Sequence, residues 1–185
     1  MLKLTPLLLV WCSLLVWMHT SQADQILITK VSGKVIDHFY FVDAEVLIEL
    51  SDDARDAVES GVPLRFAFDF QVIRPRKLMW DQQVLALRRS YRLERHALAN
   101  KYVVTDLVSQ KRTVLPSIED AVEALGRLEN ITLGKVKDLM LEEALTGRLR
   151  GQLDIEALPA PLRPIAYLSP SWHLKSPWYQ WTLSR

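Results

Sequence analysis

The residues that could carry catalysis or bind a metal are few and widely spaced. Beyond residue 23 the histidines are His38, His96 and His173, and none has a second His or Cys at the spacing of a metal site. The sequence contains no Gly-x-Ser-x-Gly motif, no phosphate-binding loop and no dinucleotide-binding fingerprint. The sequence therefore predicts no catalytic residue, no metal site and no cofactor.

Two pairs of adjacent acids are the remaining candidates for catalysis. Asp52-Asp53 fits the first turn of a helix, where the helix dipole favours negative charge. Glu142-Glu143 lies in a segment, residues 134–145, whose pattern fits either a helical turn or a strand. A glycosidase needs two carboxylates that face each other across a cleft, and adjacency in sequence does not supply that geometry. The hypothesis of a cell-wall hydrolase stays open without a defined catalytic pair.

Basic residues are concentrated between positions 74 and 95: Arg74, Arg76, Lys77, Arg88, Arg89, Arg92 and Arg95. On a strand, Arg88 and Arg92 share one face, whereas Arg89 and Arg95 share the other. Such a cluster could contact phospholipid headgroups or an acidic partner. It could equally be a solvated sheet face paired with acids of a neighbouring strand, for which Glu45, Glu49 and Asp69 are available. The sequence favours the second interpretation.

The C-terminal tail, residues 158–185, is rich in proline and tryptophan. Its five prolines exclude long regular elements. Tryptophan clusters can form a binding face for sugars, peptides or a membrane interface, but more often they cover the open end of a sandwich. As candidate partner-binding residues we take Arg163, Trp172, Trp178, Tyr179 and Trp181.

The elements that must position these residues are mainly strands. In residues 62–75, Leu64, Phe66, Phe68, Phe70 and Val72 alternate with a mostly polar face. Each buried Phe contributes roughly 1.5–3 kcal/mol, so three of them on one face require a second layer packed against them.

The remaining elements follow the same patterns. We predict two short helices, residues 52–60 and 118–125, with Ser51 and Ser117 as caps. Further strands are predicted at 25–36 (broken near Ser32-Gly33), 39–50, 84–98, 102–108, 110–115, 128–133 and 146–155. The prediction is an antiparallel β-sandwich with immunoglobulin-like character, two short helices and a proline- and tryptophan-rich C-terminal cap.

The first 23 residues have the pattern of an export signal. Lys3 precedes an uncharged apolar run at residues 4–18, and small residues follow at Ser21 and Ala23. We expect cleavage after Ala23, which leaves one β-sandwich domain, residues 24–185, in the periplasm. An uncleaved inner-membrane anchor is the alternative, and only then do we expect membrane contact. Cys12 follows Trp11, which argues against a lipid anchor.

The composition limits the class of partner. Removal of Lys3 leaves 22 basic and 22 acidic residues, so the exported chain is formally neutral and nucleic acid is not an expected partner. Cys12 is the single cysteine, so the exported chain has no disulfide.

Short motifs that span the exported chain connect it to a family. The sequence resembles exported proteobacterial proteins catalogued as a domain of unknown function, DUF4390. The motifs, in order, are Gly61-Val62-Pro63-Leu64, Arg74-Pro75-Arg76, Trp80-Asp81, Tyr91-Arg92-Leu93, Leu153-Asp154-Ile155, the LPAPLRP run at 158–164, Trp172 and the WYQW run at 178–181. Members of this family are often encoded beside a membrane sensor kinase of nitrogen-regulation type, so the resemblance implies an envelope role of a sensory kind, and it brings no catalytic residues.

The leading hypothesis is therefore a non-enzymatic periplasmic module that binds a protein partner, with the extracytoplasmic part of a membrane sensor kinase as the expected partner. A cell-wall carbohydrate-binding or hydrolytic domain is the first alternative, and it requires a cleft in which a carboxylate faces a tail tryptophan. A purely structural envelope protein is the second.

Overall fold

The computed structural model describes residues 26–76, 80–139 and 145–183. The predicted export signal, Lys77 and the Glu142-Glu143 pair lie outside these ranges. The described chain forms two antiparallel sheets, one with strand order β1-β2-β7 and the other β6-β5-β4-β3-β8-β9. The strands are β1 Ile26–Ile36, β2 Phe39–Ile48, β3 Leu64–Arg74, β4 Gln82–His96, β5 Lys101–Asp106, β6 Arg112–Leu115, β7 Arg127–Lys135, β8 Leu145–Leu153 and β9 Tyr179–Leu183.

Strand β3 lies in the middle of the six-stranded sheet and supplies the centre of the core. Phe66, Phe68 and Phe70 are fully buried, and they share one hydrophobic cluster with Ile26 and Tyr40 of the three-stranded sheet. Burial of this apolar surface between two sheets is the main contribution to stability. The predicted mainly β, sandwich-like fold is confirmed.

The opposite face of β3 is also covered, which the sequence did not predict. Ala67, Asp69 and Ile73 are only 0%, 8% and 5% exposed. Strand β3 pairs with β4 on one side and β8 on the other, so long side chains from both neighbours reach over it. Its central position explains why the alternation in β3 did not mark a solvated face.

The four helices of the described residues are α1 Asp52–Glu59, α2 Ile118–Gly126, α3 Val136–Leu139 and α4 Arg163–Leu168. Helices α1 and α2 were predicted, and their serine caps are confirmed: Ser51 Oγ accepts from the Ala54 N–H, and Ser117 Oγ accepts from the Asp120 N–H. Buried apolar residues of both helices belong to the same core as the sheets.

The predicted break in β1 is wrong. Gly33 pairs with Val42 in a β1–β2 ladder that is unbroken from Lys30 to Ile36 and shifts register only between Ile28 and Lys30, and the ring of Tyr40 lies directly against Gly33. A methyl group at position 33 would collide with that ring, so glycine here permits close packing of an aromatic side chain.

Candidate functional site

The most distinctive polar surface is the outer face of the six-stranded sheet, which we call the arginine face. It is formed by the outward side chains of the three central strands: Arg65 of β3, Arg88 and Arg92 of β4, and Arg148 and Arg150 of β8, around Asp69 of β3. The register places these residues side by side, because Asp69 pairs with both Arg88 and Arg150, and Arg65 pairs with Arg92. All point away from the buried Phe side chains, since side chains alternate across a strand.

Asp69 is the centre of this surface. Arg88 donates from Nε to Oδ1 at 2.6 Å and from Nη2 to Oδ2 at 3.2 Å, so the pair is bidentate. Arg150 Nη2 and Gln152 Nε2 also donate to Oδ2, at 3.2 and 3.4 Å. Burial alone would raise the pKa of the Asp69 carboxyl, but the hydrogen bonds from Arg88 and Arg150 outweigh it, and the pKa is lowered.

This network gives a pH-dependent contribution to stability. Because the pKa of Asp69 is lower in the folded state, the contribution is present above the unfolded value of about 3.9 and is lost as pH falls through the folded value. We expect Asp69→Asn to lower the free energy of unfolding by about 1–3 kcal/mol at pH 7. The difference from the wild type should shrink below about pH 4. Urea unfolding from pH 7 to pH 3 measures both, with exposed Asp138→Asn as control. A difference that does not change with pH would contradict this role for Asp69.

The sequence interpretation of the arginine cluster was partly right. Of the three acids proposed as partners, Asp69 pairs with Arg88. Glu45 instead pairs with Lys30 on the three-stranded sheet, at 3.5 Å. Arg89 lies on the inner side and pairs with Asp106 at 3.4 Å. Glu49 does not lie on this sheet, since it follows the end of β2.

The arginine face keeps an excess of positive charge. On the outward side of β3, β4 and β8, five arginines face two acids, Asp69 and Glu94, and the rim acids Asp81 and Asp154 reduce the net charge from +3 to +1 if histidine is neutral. At the rim, Arg148 Nη2 lies 3.4 Å from Asp81, and Arg65 Nη1 lies 3.9 Å from Asp154. Arg92 forms no ion pair with any residue in the described ranges.

Trp178 extends this surface at the edge next to β8. The Arg150 guanidinium carbon lies 4.4 Å from the centre of the Trp178 ring, a stacked cation–π arrangement. The same guanidinium also donates to Asp69. Its orientation is therefore fixed by an acid on one side and an aromatic ring on the other.

The other tail candidates lie elsewhere. Trp172 is 5% exposed and belongs to the core, in a 3₁₀ turn at Pro170–Trp172. Tyr179 and Trp181 lie on the inner side of β9, where the Trp181 ring covers Gly147. Arg163, in α4, donates from Nε to the Leu158 carbonyl oxygen at 2.8 Å.

The five tail candidates therefore do not form one surface, and of the five Trp178 lies on the arginine face. Arg65, Arg148 and Arg150 were not among the predicted site residues. The alternating pattern of residues 146–155 indicated that Arg148 and Arg150 share one face of a strand. It did not indicate that this strand pairs with β3.

The remaining candidates for chemistry are separated in space. Asp52 and Asp53 lie in the first turn of α1, where Asp53 accepts a hydrogen bond from Ser171. His96 Nε2 lies 3.9 Å from Glu94. Within the described ranges, His, Cys, Asp and Glu side chains form no cluster of three that could hold a metal ion.

The fold and its arginine face define a mainly β protein of two antiparallel sheets, one of which presents an outer surface rich in cations. The chain belongs to the family described as Domain of unknown function (DUF4390), whose model matches residues 23–182. No curated protein matches this chain, and no solved structure does. Among the described helices, none has the length and hydropathy needed to span a bilayer.

Proposed function

We propose that this protein is a non-enzymatic binding module of the cell envelope that holds an acidic partner protein against its arginine face. The observation that carries the proposal is the group of five arginines on adjacent strands, of which Arg88 and Arg150 are bound to Asp69 and Arg150 also stacks on Trp178. The guanidinium groups of Arg88 and Arg150 are fixed before a partner arrives, which lowers the entropy lost when these two side chains take part in binding.

Arginine suits this role because its planar group presents several N–H donors and matches carboxylates in a bidentate way. Arginine and tryptophan are also enriched among the residues that contribute most to protein–protein affinity. Arg92 has no acidic partner among the described residues. Arg65 and Arg148 each contact one acid through one terminal nitrogen, at 3.9 and 3.4 Å, which leaves further N–H donors on each guanidinium. These three are the groups that a partner's carboxylates would engage.

An anionic bilayer would offer phosphates to the same donors, but the rim of the face argues for a protein. Asp81, Glu94 and Asp154 lie among or beside the arginines. A uniformly anionic membrane would repel these acids, whereas a protein can place a lysine or arginine opposite each one. The N-terminal export pattern and the family resemblance favour the extracytoplasmic part of a membrane sensor kinase as this partner.

Charge reversal on the arginine face tests the proposal. We expect the double variant Arg92→Glu with Arg148→Glu to reduce recovery of the partner at least tenfold. Each new carboxylate would face an acid of the partner. A residue at the centre of an interface typically contributes about 2 kcal/mol to binding, which is more than a factor of ten in affinity. The measurement is affinity purification of the tagged full-length protein from envelope extracts in mild detergent, with quantitative mass spectrometry.

The control is Lys111→Glu with Lys137→Glu, which changes the net charge equally at exposed lysines away from the arginine face. Circular dichroism and the midpoint of thermal unfolding establish that both variants are folded. Equal recovery of the partner by wild type and by the arginine variant, or equal loss in the control, would contradict the proposal.

The hypothesis of a carbohydrate-binding or hydrolytic domain gains no observation in its favour. It requires a carboxylate that faces a tail tryptophan across a cleft. Trp178 faces Arg150, Trp172 is buried, and the large groove described below is lined by acids without an aromatic residue.

A further inference from the structure

A second surface lies on the other side of the sandwich, on the three-stranded sheet. It is a groove of about 1410 Å³ formed by β1, β2, α2, the start of β7 and Arg55 of α1. Small-molecule sites typically occupy about 300–1,000 Å³. The size of this groove therefore suits a segment of polypeptide better than a small ligand.

Within the described residues, two acids of the groove have no cation paired with them. Its four cations are each paired with an acid of the groove: Lys30 with Glu45, Lys34 with Asp43, Arg55 with Glu119, and Arg127 with Glu123. Glu49 and Glu129 also line the groove and form no ion pair with any described residue. The groove therefore has a net charge of −2, and its two free carboxylates come from different elements.

Apolar side chains line the same groove as these carboxylates. Leu47 lines the groove and pairs across strands with Leu27, and the two are 54% and 45% exposed. Leu50 and Val122 are half-buried in the groove. An exposed cross-strand leucine pair two residues from the unpaired Glu49 combines an apolar contact with a preference for positive charge.

We propose that this groove binds an extended, cationic segment of a partner protein. An apolar side chain of the segment packs on Leu47, and basic side chains pair with Glu49 and Glu129. The site is independent of the arginine face, because it lies on the outer side of the other sheet. Partners at the two sites would therefore not compete for the same surface.

The test uses a fluorescein-labelled nonapeptide in which three lysines and three leucines are separated by serines. Two matched peptides serve as controls: in one all lysines are replaced by glutamate, and in the other all leucines are replaced by serine. We expect fluorescence anisotropy to show binding of the lysine–leucine peptide to the full-length protein at least tenfold tighter than either matched peptide. Glu49→Lys with Glu129→Lys, and separately Leu47→Ser, should each weaken this binding at least tenfold.

Asp56→Lys with Asp138→Lys gives the same charge change at exposed sites outside the groove and should bind like the wild type. Equal binding of all three peptides, or no loss of binding in the groove variants, would overturn the proposal. A dimer in size-exclusion chromatography that Glu49→Lys with Glu129→Lys dissociates would also overturn the proposal. In that case a second copy of the chain would occupy the groove. Loss of the arginine-face partner leaves this result unchanged, so the two proposals fail separately.

Discussion

Replacement of Phe68 by alanine is expected to lower the free energy of unfolding by about 3–5 kcal/mol, the usual cost of truncating a fully buried Phe. Phe68 has no exposed surface, lies at the middle of the central strand β3, and packs edge-on against Tyr91 with ring centres 5.8 Å apart. Its ring also contacts the position of Gly151 on β8, next to Ile26 of the other sheet. Alanine would leave a cavity at the contact between the two sheets.

Urea unfolding followed by circular dichroism measures this loss. Val114→Ala is the matched control, because Val114 lies on the edge strand β6 and is 63% exposed. The control should change the free energy of unfolding by less than about 0.5 kcal/mol. A loss below about 1 kcal/mol for Phe68→Ala would mean that the two sheets do not share this core.

Replacement of Trp172 by alanine is expected to have a comparable effect, about 3–5 kcal/mol. Trp172 is buried, and its turn is tied to the start of α1, where Ser51 Oγ donates to the Ser171 carbonyl oxygen at 2.7 Å. The loss would therefore leave a cavity beside α1 and loosen this turn, while β9 stays paired with β8. Thermal or urea unfolding of the purified variant gives the measurement.

Trp178→Ala is the informative comparison within the same tail. Trp178 is half-buried at the rim of the arginine face, so its loss should cost about 1 kcal/mol or less in stability while weakening partner binding. Equal destabilisation by the two substitutions would contradict the division of the tail into a structural and a surface part. If Trp178→Ala binds the partner as well as the wild type does, Trp178 is not part of the proposed interface.

The sequence contains much of the arginine face but not its assembly. Alternation within residues 84–98 put Arg88 and Arg92 on one face, and alternation within 146–155 did the same for Arg148 and Arg150. What brings these pairs together is the pairing of β3 with β4 and with β8, and the second of these joins residues about 80 positions apart. Local patterns do not specify such long-range register. The sequence therefore offered Asp69 as one of three acids that could pair with the arginines, without selecting among them.

The tail shows the same limit. Proline spacing correctly indicated short elements, but the five-residue strand β9 follows Pro177 too closely to be recognised. Its pairing with β8 decides that Trp181 turns inward over Gly147, while Trp178 stacks on Arg150. A cluster of aromatics in sequence was therefore divided between two sides of a sheet.

Site-specific photocrosslinking in living cells tests the central claim most directly. Gln180 is exposed and pairs with Arg148 at the edge of the arginine face. We expect a photoreactive phenylalanine analogue at this position to crosslink to an acidic segment of one envelope protein. The same analogue at Leu98, an exposed loop position, should not. The Gln180 crosslink should disappear when Arg92→Glu and Arg148→Glu are added. A crosslink that persists in that variant, or a crosslink from Leu98 alone, would contradict binding at the arginine face.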